Sequence, residues 1–299
     1  LVVTTTGSSG IPKQIGLSAS ALLTSARASN AFLGAEFGST WSLLLPLNHI
    51  AGINVLIRSL ELGTTPTNLL SYEGKFPKVD YTAIVPTQLY RALNGDENLL
   101  HHLQSAKAVL VGGAALPQAL RNQATSAGIN VVTTYGMSET SGGCVYNGEI
   151  LEGVQVEVRG GSIFIRGSIL ALGLELNNGW YETKDLGEFV EDKLVVIGRS
   201  DDVIITGGEN LSLNKVENVL NQHFPALQIA AFAVDDPQWG HSLHIAVVGK
   251  IDESRLISIL ESELGSFAKP KGIHVMESLP LLGIGKVDRK RLAQAIPNE

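Results

Sequence analysis

The 299-residue chain is 44% hydrophobic and 17% charged, which leaves apolar content for more than one core and excludes a disordered tract. A net charge of −7 argues against nucleic acid as the main partner, because binding a phosphate backbone needs a basic face. The lone cysteine, Cys144, excludes an intramolecular disulfide and a cysteine-rich zinc site and fits a reducing cytoplasm, and no apolar run approaches a membrane span. The chain opens on Leu1-Val2-Val3, read as the end of a strand. A loop of small residues follows, Thr4-Thr5-Thr6-Gly7-Ser8-Ser9-Gly10-Ile11-Pro12-Lys13. Its exposed N–H groups and hydroxyls suit phosphates, with Lys13 as a point charge. The Pro before the Lys sets it apart from the P-loop of ATPases. Strands are predicted over 41–47, 81–85, 108–111 and 130–134, with helices over 52–62, 87–93 and 117–127 between them. This β-α alternation points to a mostly parallel sheet.

From 153 to 198 the pattern changes. Short strands over 155–159, 162–166, 188–190 and 194–197 are separated by Gly and Asn turns and read as an antiparallel β subdomain. A third section follows the polar junction Gly198-Arg199-Ser200-Asp201-Asp202. It carries strands over 203–206, 229–234, 243–248 and 272–275 and helices over 213–223, 253–264 and 288–295. The expected fold class is α/β. A large N-terminal domain over 1–198 combines the mostly parallel sheet and the antiparallel subdomain, and a small α+β domain spans 199–299.

Five segments carry chemistry. Besides the opening loop, Tyr135-Gly136-Met137-Ser138-Glu139-Thr140 follows a strand, where ligands collect in α/β sheets. Tyr135 suits stacking on a nucleobase, and Glu139 suits Mg²⁺, a hard ion that takes oxygen ligands beside phosphates. Asp185, in Tyr181-Glu182-Thr183-Lys184-Asp185-Leu186-Gly187, is read as a carboxylate in a tight turn, suited to a ribose diol. Arg199 stands at the junction, with the flexible pair Gly207-Gly208 beyond it. Gly283-Ile284-Gly285-Lys286 places a lysine on a Gly-flanked loop. Each segment alone also fits a plain structural turn; together, in this order, they are improbable by chance.

The order resembles the adenylate-forming superfamily, which includes acyl-CoA synthetases, nonribosomal adenylation domains and luciferases. The resemblance covers nearly the whole chain and implies a large N-terminal domain with a small, mobile C-terminal one. It implies that Thr5, Thr6, Gly7, Ser8, Ser9, Gly10 and Lys13 form the phosphate loop. Gly113, Ala114, Tyr135, Gly136 and Thr140 fall on its adenosine segments. Glu139 falls on its Mg²⁺ site, Asp185 on its ribose carboxylate, Arg199 on its junction arginine, Asp201 on its hinge and Lys286 on its catalytic lysine. ATP, Mg²⁺ and coenzyme A are the implied cofactors. A carboxylate attacks the α-phosphate of ATP, and a thiol then attacks the acyl-adenylate. The superfamily carries a subdomain ahead of the phosphate loop that is almost absent here, so an N-terminally shortened enzyme is expected.

His49, in Leu45-Pro46-Leu47-Asn48-His49, resembles the superfamily's gate between acid and thiol. Arg58 lies nine residues further on, in an otherwise apolar helix. The o-succinylbenzoate–CoA ligases of menaquinone synthesis carry a basic residue at this spacing. The resemblance therefore implies that His49, Arg58, Thr87, Gly136 and Met137 meet the acid, with Arg58 on its aromatic carboxylate. Snorkelling of Arg58 to solvent is the alternative. Gly207, Gly208, Trp239, Phe267, Lys269 and Lys271 match positions that hold CoA in related ligases. Another small or aromatic acid, a freestanding enzyme loading a carrier protein and a noncatalytic nucleotide-binding protein remain open. The expected partners are small molecules, without nucleic acid or a membrane span, and the expected compartment is the cytoplasm.

Overall fold

The computed structural model of the chain describes residues 1–6, 12–225, 227–237, 239–281 and 287–296. Two compact units emerge. The first comprises Leu1–Leu116, Leu120–Thr183 and Gly187–Val196, the second Pro117–Ala119, Lys184–Leu186 and Ile197–Glu299.

The opening threonines are β-branched and favour a pleated backbone. Strand β1 (Val2–Thr6) therefore runs through them, where a loop is expected, and pairs antiparallel with β2 (Pro12–Gly16), Thr5 opposite Lys13. Gly7, Ser8, Ser9 and Gly10 lie outside the described residues. Val3, Ile15 and Leu17 anchor this ribbon on Leu22 and Ile50. Helix α1 (Ala19–Phe32) follows, capped by Ser18, whose hydroxyl accepts from the Ala21 N–H. Its Ala- and Ser-rich sequence lacks strong apolar periodicity, so the sequence reading leaves it out.

Strand β3 (Trp41–Leu43) leads into α2 (Ile50–Glu61), and β4 (Thr67–Asn68) returns beside it. Strand β5 (Tyr81–Ile84) precedes α3 (Pro86–Leu93) and α4 (Glu97–Ser105), and β6 (Ala108–Val111) precedes α5 (Gln118–Ser126). Strand β7 (Val131–Met137) ends the parallel set, and β8 (Gly142–Tyr146) and β9 (Glu149–Ile150) continue it antiparallel. The spatial order is β4-β3-β5-β6-β7-β8-β9. Strand residues alternate between two cores. Val109 and Val111 join Leu89, Leu99 and Leu103 from α3 and α4 on one face. Ala108 and Leu110 join Trp41, Val55 and Tyr146 on the other. Both faces are covered, as a parallel sheet requires.

The antiparallel subdomain orders β10 (Val154–Arg159), β11 (Ser162–Gly167), β12 (Tyr181–Val190) and β13 (Lys193–Arg199) side by side. Asp185 lies in the middle of β12, which corrects the expected tight turn. Thr183, Asp185 and Gly187 are the buried positions there, so the alternation is present but polar, and an apolar-run criterion misses it.

In the second unit, β14 (Val203–Thr206) and β15 (Glu209–Ser212) form a hairpin. Gly207 and Gly208, read from sequence as a flexible pair, are its two turn residues, with φ +60 and +84. Helix α6 (Leu213–His223), β16 (Gln228–Asp236), β17 (Gly240–Val248), α7 (Glu253–Leu264), β18 (Gly272–Met276) and α8 (Arg289–Gln294) complete the unit. The strand order is β15-β14-β17-β16, with β18 parallel to β17. Leu243, Ile245 and Val247 pack on one side with Val216 and Leu256 of α6 and α7. Ala230, Phe232 and Ala246 pack on the other with Leu292 of α8. No helix among the described residues is long and apolar enough to cross a membrane.

Candidate active site

The carboxyl ends of the parallel strands gather the predicted residues of the first unit, as open α/β sheets do. Gly113 and Ala114 are exposed just after β6, and Thr87 is exposed just after β5. Tyr135, Gly136 and Met137 are the last residues of β7, which runs through positions expected to follow a strand. A Cβ on Gly136 would lie 2.1 Å from the Gly142 carbonyl oxygen, so β8 crosses β7 there only because side-chain bulk is absent. Glu139 occupies the short turn Ser138–Thr140 beyond β7. Its carboxylate is 3.8 Å from the Lys13 ammonium on β2, and the lysine side chain is 60% exposed. Two motifs far apart in sequence thus meet. Thr140 is buried. Its hydroxyl accepts from the Met137 N–H at 2.9 Å and lies 2.7 Å from the Gly142 carbonyl oxygen. The structure therefore gives Thr140 the task of holding the turn that presents Glu139.

His49 is the residue before the first turn of α2 and is partly buried. Burial holds its imidazole below the usual pKa, so the ring is neutral at pH 7. Arg58 sits deeper on the same helix and is 4% exposed, which removes the snorkelling alternative. One Nη2–H donates to the Tyr146 hydroxyl at 2.9 Å, and the guanidinium lies 5.2 Å from the Trp41 ring centroid. Its Nε has no partner, and no described carboxylate pairs with it. Tyr146, Trp41 and Asn54, whose amide donates to the Ser141 carbonyl at 2.8 Å, were not legible as site residues. Their only signal is a lone polar group within an apolar stretch.

The second unit assembles two clusters. In one, Arg199 forks onto Asp201, with Nε–H to Oδ1 at 2.7 Å and Nη2–H to Oδ2 at 2.9 Å, and donates from Nη1 to Asp185 at 3.2 Å. Asp201, with Asp185 beside it, holds the guanidinium well above its usual pKa. The predicted ribose carboxylate, junction arginine and hinge residue are therefore one electrostatic group. In the other, the buried Asp236 binds two predicted CoA residues at once. It accepts from the Trp239 N–H at 3.1 Å and from the Lys271 ammonium at 2.9 Å. A Cβ on Gly207 would lie 3.1 Å from the Trp239 ring, so the hairpin turn approaches the indole closely. Lys269 is exposed. Phe267 packs against the core of the unit, and Trp239 is exposed. Lys286 lies outside the described residues.

Sequence profiles decide the family. The AMP-binding enzyme profile matches residues 1–163, and the profile of the AMP-binding enzyme C-terminal domain matches 215–286. The chain belongs to the AMP-binding enzyme family. The probable 2-succinylbenzoate–CoA ligase of Mycobacterium tuberculosis strain H37Rv is 38% identical over 328 residues, covering 100% of this chain and 85% of that protein. The 2-succinylbenzoate–CoA ligase of Escherichia coli K12 is 31% identical over 286 residues, covering 89% of this chain and 62% of that protein. Among solved structures, the o-succinylbenzoate CoA synthetase of Bacillus subtilis, in complex with the acyl-adenylate intermediate OSB-AMP, aligns with a TM-score of 0.82 at 25% identity, covering 100% of this chain and 69% of that one.

As an AMP-binding enzyme, the chain has residues that fit the groups such chemistry needs. Mg²⁺ takes one or two carboxylates and fills its remaining positions with phosphate oxygens and water. Glu139 supplies one carboxylate, and the described residues contain no larger metal-binding cluster. The Lys13 cation beside it suits the same phosphates. Asp185 and Arg199 present acceptor and donor groups together, which suits a ribose and its phosphate.

Proposed function

We propose that the chain is an ATP-dependent, AMP-forming acid–CoA ligase that converts o-succinylbenzoate, through its acyl-adenylate, to o-succinylbenzoyl-CoA. The names of its relatives support the acid and the thioester. The observation that carries the choice of acid is Arg58, a buried guanidinium without a described carboxylate partner. A buried charge is expensive until it is paired. A second carboxylate on the substrate pairs it, and a simple fatty acid does not.

Lys13 and the flanking hydroxyls bind the phosphates, and Glu139 holds Mg²⁺, which draws charge from the phosphoryl oxygens when bound. Lys286 supplies a cation at the reacting phosphate. Asp185 and Arg199 orient the ribose. Neutral His49 stands between the activated carboxyl and the incoming thiol. The clamp of Asp236 on Trp239 and Lys271 favours free CoA over a carrier protein, because a carrier brings no adenine for an indole to stack on. A cytoplasmic setting, where ATP and CoA are available, belongs to this reading.

The test is direct. Purified protein is incubated with ATP, Mg²⁺, CoA and o-succinylbenzoate, and pyrophosphate and thioester mass are followed. Both products are expected. Pyrophosphate without thioester would favour the carrier-loading alternative, and neither product with any of a panel of acids would favour the noncatalytic one.

A further inference from the structure

We propose that Tyr146 is a positioning residue that gives the site its selectivity for a dicarboxylic acid. It fixes the Arg58 guanidinium without neutralising it. The proposal rests on the acid–CoA ligase reading above and deepens it.

Tyr146 ends β8, opposite Thr134 of β7. It is fully buried, with the Phe32 ring edge-on at a centroid distance of 5.3 Å. A buried phenol needs hydrogen-bond partners. This one lies 2.9 Å from Arg58 Nη2 and 2.8 Å from the Ser29 hydroxyl of α1. Arginine only donates, so the phenol oxygen accepts from Arg58, while either hydroxyl of the Tyr146–Ser29 pair can donate to the other. The Trp41 indole walls the guanidinium on another side.

The choice of partner is informative. Asp or Glu in place of Tyr146 would cancel the Arg58 charge and compete with any incoming anion. A neutral phenol holds the geometry and leaves the charge available. Two buried donors beside it are unpartnered, Arg58 Nε–H and Trp41 Nε1–H. A carboxylate, with two oxygens, can accept from more than one such donor. Asn54, one turn before Arg58 on α2, adds the unpartnered buried acceptor Oδ1, which suits a polar group along the same acid. The ligand class is a compact acid with a second carboxylate remote from the one activated.

The test compares wild type with Tyr146→Phe, which removes only the hydroxyl, and with Ser29→Ala, which removes the phenol's second hydrogen-bond partner. Two acids are used, o-succinylbenzoate and 4-oxo-4-phenylbutanoate, the same skeleton without the ring carboxylate. Tyr146→Phe is expected to lower kcat/KM for o-succinylbenzoate about tenfold, mainly through KM, as loss of one charged hydrogen bond does. The values for the monoacid and the KM for ATP stay unchanged. Ser29→Ala shifts the same quantity in the same direction, by less, and serves where Tyr146→Phe folds poorly. Equal losses on both acids, or no loss on o-succinylbenzoate in either variant, overturn the proposal. Wild type inert toward o-succinylbenzoate overturns the substrate reading and this role together; wild type active on it with both variants unaffected overturns this role alone.

Discussion

Arg58 shows how a residue with the proposed role of binding a charged substrate burdens the free protein. It is the one arginine of α2, it is 4% exposed, and its hydrogen-bond partner is a neutral phenol. Removing half of a buried ion pair usually destabilises, but here there is no described second half. Arg58→Met, similar in length and apolar, should therefore leave the thermal midpoint unchanged or raise it by a few degrees. A midpoint many degrees lower would show that the charge is structurally paired. The same substitution should raise KM for o-succinylbenzoate between about tenfold and a hundredfold, the range of one or two charged hydrogen bonds. KM for ATP should move little, and an equal rise for both substrates would contradict the assignment. The candidate site residues legible in the sequence were those whose type alone suits the proposed chemistry, such as Lys13, Glu139, Asp185 and Arg199. Tyr146 and Asp236 were not, because each acquires its role only when distant segments fold against it.

Elements repeat that division. The parallel strands β3, β5, β6 and β7 were legible because each is a short apolar run with turn residues at its ends, and β6 is found where the sequence places it, whereas β4, only Thr67–Asn68, was not. Strand β12 was legible only in its last residues, because its inward positions are Thr183, Asp185 and Gly187. The C-terminal hairpin hid behind Gly207-Gly208, which reads as flexible yet occupies left-handed turn positions. The turn joining β16 to β17 carries the functional prediction at this scale. Asp236 closes it by binding the Trp239 N–H and the Lys271 ammonium together. Asp236→Ala releases both ends, so the indole loses its fixed orientation and Lys271 its anchor. KM for CoA should rise about fivefold to tenfold, an effect of roughly one hydrogen bond. Pyrophosphate release in the absence of CoA should match wild type. A loss of adenylation equal to the loss of thioester formation would place Asp236 in general folding instead.

The whole molecule carries buried histidines whose neutral state is part of its stability. His102 is a buried residue of α4, with its pKa lowered by burial. His244 on β17 is pressed further, to about 4, by burial first and then by His274 when that ring is protonated and by the Lys271 cation, with Asp236 opposing. Its ring nitrogens meet Ser242 at 3.1 Å and His274 at 3.0 Å, and Phe232 lies alongside with a ring-centroid distance of 5.6 Å. An unfolded histidine titrates near 6.5. Between about pH 6.5 and 4 the unfolded chain therefore binds more protons than the folded one. Stability is full above pH 6.5 and falls as the pH drops through that window. After allowance for solvent screening, His244 should account for about 1 kcal/mol of that loss. The thermal midpoint should drop by a few degrees between pH 7 and pH 5. His244→Gln removes a titrating group while keeping a polar side chain, so its midpoint starts lower yet falls less steeply over the same interval. Parallel slopes in variant and wild type would mean that His244 is not held neutral, and that the acid sensitivity lies with His102, His274 or the carboxylates.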